Sequence, residues 1–324
     1  MGSCVGFPAY SVNDPGSSPT ILDPGLDGPT GVATDGTRIV YTISGQAQNG
    51  AIKLRDASGV RDLSRNFELN PTRIALSGAF AYYVQTTAPD PTNSNVRRVS
   101  VNGTSSSSAP VAGLRVQPSS IVVQSNIVYF TDKNGVYACD MNNTTSCGTS
   151  PDAVADRSFP CRGIVATTTR LAWLENGGVY ACNRASCAGT VISLASGQHN
   201  AREMAVDGST LFWTEDGADD QTGNVWSTSI EAAGTVTPVL CGLNHPQDIA
   251  VDGANIYVTN RGTSPDFTDG TVVRCARAGC ANKPTVMAKN QVQPYGIALD
   301  ATKLYWVTRG VDSARTGTLA SVAK

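Results

Sequence analysis

Residues able to do chemistry are few in this chain, and they gather where seven similar segments begin. Only two histidines occur, His199 and His245. With Cys161 they have the types needed for a nucleophile and its base, because a neighbouring imidazole lowers a thiol pKa. A disulfide from Cys161 to Cys4 or Cys241, or an inert thiol, is the alternative. Arg162 and Arg202, beside Glu203 and Asp248, suit anion binding or acid and base work. Ion pairs around a wet channel would use the same residues. Arg73 and Tyr295 hold the corresponding positions in two more segments. The catalytic candidates are thus His199, Glu203, His245, Asp248 and Cys161, and the ligand-binding candidates are Arg73, Arg162, Arg202, Glu203, His245, Asp248 and Tyr295. Hard oxygen ligands at Asp216, Asp219 and Asp220, and at Asp266 and Asp269, make Ca2+ the one cofactor considered, without EF-hand spacing. No nucleophile motif, HExxH or phosphate loop is present.

The elements that must position these residues are repeats. Apolar strand, tight turn and aromatic strand recur as GVATDGTRIVYT, RIALSGAFAYYV, SIVVQSNIVYFT, GIVATTTRLAWL, EMAVDGSTLFWT, DIAVDGANIYVT and GIALDATKLYWVT, with anchors at Ala33, Ala75, Val122, Val165, Ala205, Ala250 and Ala298. The anchor spacings are 42, 47, 43, 40, 45 and 48 residues. A period near 45 built of strands predicts an all-β, seven-bladed β-propeller with four-stranded antiparallel blades. The aromatic strand is apolar on both faces, as a sheet packed between two others requires. Its stripe at Tyr41, Tyr83, Phe130, Trp173, Trp213 and Trp306 reads as packing between blades. The last repeat supplies only three strands, ending at Gly317 to Val322, while Pro19 to Asp23 resembles a fourth strand. The N-terminal strand is therefore expected to close the last blade and remove an open edge. Residues 1–18 read as a leader or extension and 19–324 as one domain.

Before each anchor lie Gly28-Pro29, Asn70-Pro71, Gln117-Pro118, Pro160-Cys161, Asn200-Ala201, His245-Pro246 and Gln293-Pro294. Cys161 stands where five repeats have proline. The residues that follow are expected to ring the mouth of the central channel. Charges in the loops after the second strands, among them Asp132, Lys133, Glu175, Glu215, Arg261, Arg309, Asp312 and Arg315, belong on the same rim. The loops from Glu215 to Thr222 and from Arg261 to Gly270 are long enough for recognition. Solvation of turns is the alternative use of their charge.

Composition narrows the partners. A net charge of −2 with only 15% charged residues argues against nucleic acid or an anionic membrane surface. No apolar run is long enough for a transmembrane segment. Of nine cysteines, three pairs follow third strands: Cys139 and Cys147, Cys182 and Cys187, Cys275 and Cys280. Hairpin disulfides are expected there, since no nearby His completes a zinc site. They imply an oxidising compartment, so a secreted, periplasmic or cell-surface location. Met1-Gly2-Ser3 carries no charged and apolar leader. Cys4 is either a lipid anchor or an ordinary extra cysteine.

The segments LFWTED, VYFTDK and LYWVTR resemble the YWTD class of β-propellers and the wider bacterial group that includes NHL-like and virginiamycin B lyase-like proteins. The likeness runs from Thr20 to Val322. It departs from the YWTD class in having seven repeats rather than six and no copy of the full motif. The lyase resemblance implies catalytic His and acidic residues on the axial face, where neither His199 nor His245 falls in a matching motif. The expected function is an exported, monomeric binding module that recognises a peptide, glycan or protein partner through its axial face. The alternative is a lyase or lactone hydrolase with a His and acidic site at the channel mouth.

Overall fold

Strands that are apolar on both faces must be covered on both faces, and stacking blades around an axis does this. The computed structural model of the chain describes residues 4–16, 18–45, 49–86, 94–103, 109–115, 117–142, 147–148, 151–157, 159–311 and 315–324. Asp312 lies outside them. The described strands form seven four-stranded antiparallel sheets, numbered here as blades 1 to 7 in chain order. Their first strands, Pro29–Thr34, Pro71–Ser77, Ser120–Gln124, Cys161–Ala166, Ala201–Asp207, Pro246–Val251 and Pro294–Leu299, contact one another in sequence and close a ring from blade 7 back to blade 1. The fourth strand of blade 7 is Thr20–Leu26, which pairs with Gly317–Ala323. The ring is thus closed by the N-terminal strand, as the unfinished last repeat predicts.

Hydrophobic cores sit between blades, one at each of the seven interfaces. The aromatic stripe supplies their largest members, and Trp173, Trp213, Trp306, Tyr41, Tyr83 and Phe130 are fully buried. Packing, not ligand contact, accounts for that stripe. At the centre the strands approach so closely that a Cβ on Gly31 would lie 2.3 Å from the Thr72 carbonyl oxygen, and one on Gly296 2.6 Å from that of Thr30. Only glycine fits at these two points.

All three hairpin cysteine pairs are disulfides, at the end of the ring away from the channel mouth. A fourth joins Cys4 to Cys241. This corrects the lipid-anchor reading of Cys4, because a sulfur in a disulfide cannot also carry a thioether-linked lipid. It also removes both proposed partners of Cys161, which is a free and buried thiol. Residues 4–16 run along the outer edges of blades 5 and 6. Ser11 N–H donates to the Asn282 carbonyl at 3.1 Å, Asn13 N–H to that of Pro284 at 2.8 Å, and Val286 N–H to that of Asn13 at 2.8 Å. Tyr10 packs on the core between those blades, and burial pushes its hydroxyl up to about 12. No described helix is long and apolar enough to cross a membrane.

Candidate functional site at the axial rim

Six of the seven innermost strands carry a register shift against the second strand near the rim. The residues displaced are those named from sequence: Arg73 in blade 2, Arg202 and Glu203 in blade 5, Asp248 in blade 6 and Tyr295 in blade 7. A bulge adds a residue and re-aims side chains, which turns these toward the channel. Arg73 pairs with Glu203 at 2.5 Å and with Asp248 at 3.4 Å, joining blades 2, 5 and 6 across the ring. Asp248 also accepts from the Ile297 N–H of blade 7 at 3.1 Å. Burial pushes the Glu203 carboxyl up to about 7, with Asp248 adding repulsion and Arg73, Arg162 and Arg202 only partly offsetting it. Burial raises Asp248 as well, against the pull of Arg73. Arg73 keeps 21% of its side-chain surface open to the channel.

A second network lies above the first. Asp216 pairs with the Arg202 guanidinium through one oxygen and faces His245 Nδ1 at 2.8 Å through the other. His245 Nε2 faces Asp220 at 3.1 Å. The backbone of His245 is left-handed, with φ 55°, at the position where blade 1 has Gly28 and blade 2 has Asn70. A glycine would sit there without strain, so the imidazole is held at a conformational cost. Its ring meets Phe267 edge to face at 5.4 Å. Arg261 lies over the Phe267 ring, 3.7 Å from its centroid, and Arg309 lies 5.6 Å from that of Tyr295.

Beside these networks, between blades 4 and 5, a groove of about 880 Å³ opens on the same face. Its walls include Arg162, Gln198, His199, Asn200, Asn224, the Gly177-Gly178 backbone and the carboxylates Glu175 and Glu215. Both carboxylates are tied down. Glu175 accepts from Arg157 at 2.5 Å and from Trp173 Nε1 at 3.2 Å. Glu215 accepts from Trp226 Nε1 at 2.8 Å, from Asn224 at 3.1 Å and from the His199 N–H. No Phe, Tyr or Trp lines the groove among the described residues.

The named residues fall into three places rather than one. Glu203, Asp248 and Arg73 share the channel, His245 joins Arg202 and Asp216 above it, and His199 and Arg162 belong to the groove. Cys161 joins none of them. It is 1% exposed in the core between blades 3 and 4, and burial together with Glu175 pushes its thiol up to about 12, which corrects the thiolate reading. The calcium candidates do not gather at one point. Among the described residues no three His, Cys, Asp or Glu side chains converge as a metal site. Asp216 and Asp220 turn to His245, Asp269 turns to Thr263 at 2.7 Å, and Asp219 and Asp266 are exposed. Sequence reasoning treated Arg261 and Arg309 as loop charges and Asp216 as a calcium ligand. Their shared signal is position: each directly follows the second strand of its blade and precedes a glycine, Gly217, Gly262 or Gly310.

No family model matches the chain, and no curated protein matches it in sequence. Among solved structures it is similar to a chain of a nidogen/laminin complex, with TM-score 0.57, 17% identity, and 81% of this chain and 98% of that one covered. It is also similar to the computationally designed Ika8 protein, with TM-score 0.56, 9% identity, and 93% and 98% covered. A third is PorZ, an essential bacterial surface component of the type IX secretion system of Porphyromonas gingivalis. There the TM-score is 0.62 at 10% identity, covering 94% of this chain and 38% of PorZ. At these identities the likeness shows the propeller fold alone.

Proposed function

We propose that this chain is an exported binding propeller that recognises a peptide, presented alone or on a partner protein, through the groove and channel mouth of its axial face. The observation that carries this reading is the groove of about 880 Å³, a volume typical of ligand sites, opening beside the charged channel mouth. The exposed Asn176, His199 and Asn200 side chains along it suit hydrogen bonding to a peptide main chain. No Phe, Tyr or Trp among the described residues lines it, so a sugar has only the His199 imidazole to stack on, which favours peptide over glycan. Four disulfides support the exported location. PorZ, one structural neighbour, is itself a surface component.

The lyase or hydrolase reading is less well supported. A general base needs an uncommitted nitrogen or carboxylate oxygen facing substrate. Both nitrogens of His245 face carboxylates, while Glu203 and Asp248 face Arg73. His199 lies in the groove instead, away from these carboxylates.

A peptide array probed with the purified protein and with Ala218→Trp tests the proposal. Ala218 is exposed and lines the groove, so an indole there fills the space without touching a core. Binding at least about tenfold weaker in the variant is expected, since loss of a well-packed contact readily removes that much affinity. Binding that is unchanged in a folded Ala218→Trp protein would move recognition off the groove.

A further inference from the structure

We propose that the groove between blades 4 and 5 binds a primary ammonium group, with the Glu215 carboxylate as its counter-ion. The assignment deepens the peptide-binding reading and rests on it for the identity of the natural ligand, since a peptide carries such a group at its amino terminus or on a lysine.

Two neighbouring blades place a buried carboxylate at the same point and treat it differently. Glu175 ends the second strand of blade 4 and Glu215 that of blade 5, at 4% and 5% exposure. Both line the groove, and each accepts an indole N–H, Glu175 from Trp173 and Glu215 from Trp226. Only Glu175 is matched by a cation. Its partner Arg157 follows the fourth strand of blade 3, where its backbone N–H donates to the Asn134 carbonyl at 2.9 Å. One blade later the same bond is made by Gln198, whose N–H donates to the Gly177 carbonyl at 2.8 Å. Asn134 and Gly177 each directly precede the third strand of their blade, so the two positions correspond. A neutral amide thus stands where blade 3 has a guanidinium. Gln198 gives its side-chain oxygen to Trp213 Nε1 at 2.8 Å and its amide to the Ser196 carbonyl at 3.1 Å. Gln291 meets Trp306 Nε1 at 2.9 Å in the same way, in a blade whose second strand ends in Thr308 rather than an acid. Indole pairing therefore accounts for the glutamine and leaves the charge of Glu215 unanswered.

The partners of Glu215 are all neutral. One oxygen accepts from the His199 backbone N–H, and the other from Asn224 at 3.1 Å and Trp226 Nε1 at 2.8 Å. Among the described residues it makes no ion pair. Arg162 and the His199 imidazole line the same groove without pairing to it, and the nearby Arg202 is held by Asp216. A buried carboxylate without a cation is unfavourable, and a ligand that brings one relieves the cost. The oxygen facing His199 takes one bond where a carboxylate oxygen has room for two, so an ammonium N–H adds to it without breaking any of the three.

The lining also selects the kind of cation. Asn176 and Asn200 are exposed along the groove and supply oxygen acceptors for the remaining N–H groups of a primary ammonium. A quaternary ammonium has no N–H to give and depends on aromatic faces, and no Phe, Tyr or Trp lines the groove among the described residues.

Methylamine hydrochloride is the simplest probe, titrated into the full chain and followed through the Trp226 indole N–H resonance, with tetramethylammonium chloride at equal ionic strength as the control. A saturable shift at Trp226 is expected with methylamine, none with tetramethylammonium, and none at Trp306 in blade 7. Glu215→Gln should weaken methylamine binding at least about tenfold, the loss expected for one charge-assisted hydrogen bond. Gln198→Arg should weaken it as much by supplying the missing guanidinium. That variant keeps Glu215 and its three donors, so it tests the charge even if Glu215→Gln does not fold. Gly-Gly-Gly amide and N-acetyl-lysine amide separate the two sources of the ammonium, with N-acetylated Gly-Gly-Gly amide as the neutral peptide. Saturation by the first assigns a peptide amino terminus, and by the second a lysine side chain. A Trp226 shift that does not saturate, that tetramethylammonium or the acetylated tripeptide reproduces, or that Gln198→Arg leaves unchanged would overturn the ammonium site. The array with Ala218→Trp reads recognition of a longer peptide, so a failed array with saturable methylamine removes only the peptide reading, and the reverse removes only the ammonium site.

Discussion

The two ends of the ring handle charge in opposite ways. At the stapled end the turn carboxylates bond first to the backbone of their own turn, with neighbouring blades adding single cations such as Lys324: Asp35 accepts from the N–H groups of Thr37 and Arg38 at 3.0 and 2.8 Å, and Asp252 from those of Ala254 and Asn255 at 3.0 and 2.9 Å. Although burial works the other way, these bonds with Arg38 and Lys324 hold both carboxyls down to about 2. At the rim, charges meet across blades, and Glu203 and Asp248 are pushed up instead. Local bonds within a hairpin form whether or not the ring exists. The rim network exists only when blades 2, 5 and 6 have closed around one axis. A surface that depends on the whole fold can hold buried charge in a fixed, costly geometry, which is what recognition of a polar ligand needs.

Opening the ring is the strongest test of that difference. Deleting residues 1–26 removes the outer strand of blade 7 and leaves Gly317–Ala323 as an apolar edge. The midpoint of thermal unfolding is expected to fall by more than about 10 °C, or the protein to aggregate, while peptide mapping still finds Cys139, Cys182 and Cys275 paired with their neighbours. Because the deletion also removes Cys4, a Cys4→Ser and Cys241→Ser double variant serves as the comparison. A deletion protein that melts no earlier than this double variant would show that closure does not rest on the N-terminal strand.

How much of this could be read from the chain depended on distance along it. The second strands announce themselves through a short pattern repeated seven times, and each hairpin disulfide joins cysteines 5 or 8 residues apart. The closing strand was also legible, because Gly317 to Val322 left one blade a strand short. The rim partners are different. Arg73 meets Glu203 three blades later because bulges turn both inward, and a bulge leaves no mark in an apolar pattern except a shift of register. Cys161 looked reactive for standing where five repeats have proline, yet that position faces the core between blades. The acidic loops looked like metal ligands because they are close in sequence, but alternate side chains leave in different directions, toward His245, Thr263 or solvent.

Arg73 tests the rim alone. Replacing it by Met leaves Glu203 and Asp248 buried without their cation, and removing one partner of a buried pair costs about 3 kcal/mol. Breaking a staple with Cys182→Ser and Cys187→Ser costs a similar amount, about 2 kcal/mol, by loosening the unfolded chain's constraint. Chemical denaturation measures both losses, and the peptide array separates them. Arg73→Met should lose ligand and the staple variant should keep it. The opposite pattern would place recognition at the stapled end.

The smallest expected effect is also the most diagnostic, because the two ends should respond to pH with opposite signs. Glu203 titrates near 4.5 when unfolded and at about 7 in the ring. Between those values the folded chain holds a proton that the unfolded chain has released, so this group stabilises the fold most below pH 4.5 and its contribution is lost as pH rises through 7. The effect is at most about 1.4 kcal/mol for each pH unit between the two values. Asp35 behaves in reverse: with its folded value at about 2 against 3.8, its contribution is complete above pH 3.8 and is lost as pH falls through 2. In Glu203→Gln the difference in unfolding free energy from wild type should therefore change between pH 4.5 and 7 and stay flat below. In Asp35→Asn it should be flat above pH 4 and change only below. Ring closure makes the first signal and one hairpin makes the second. If Glu203→Gln tracks the wild type in parallel from pH 4.5 to 7, the channel carboxylate is solvated like a surface group, and the contrast between shared and local charge does not hold.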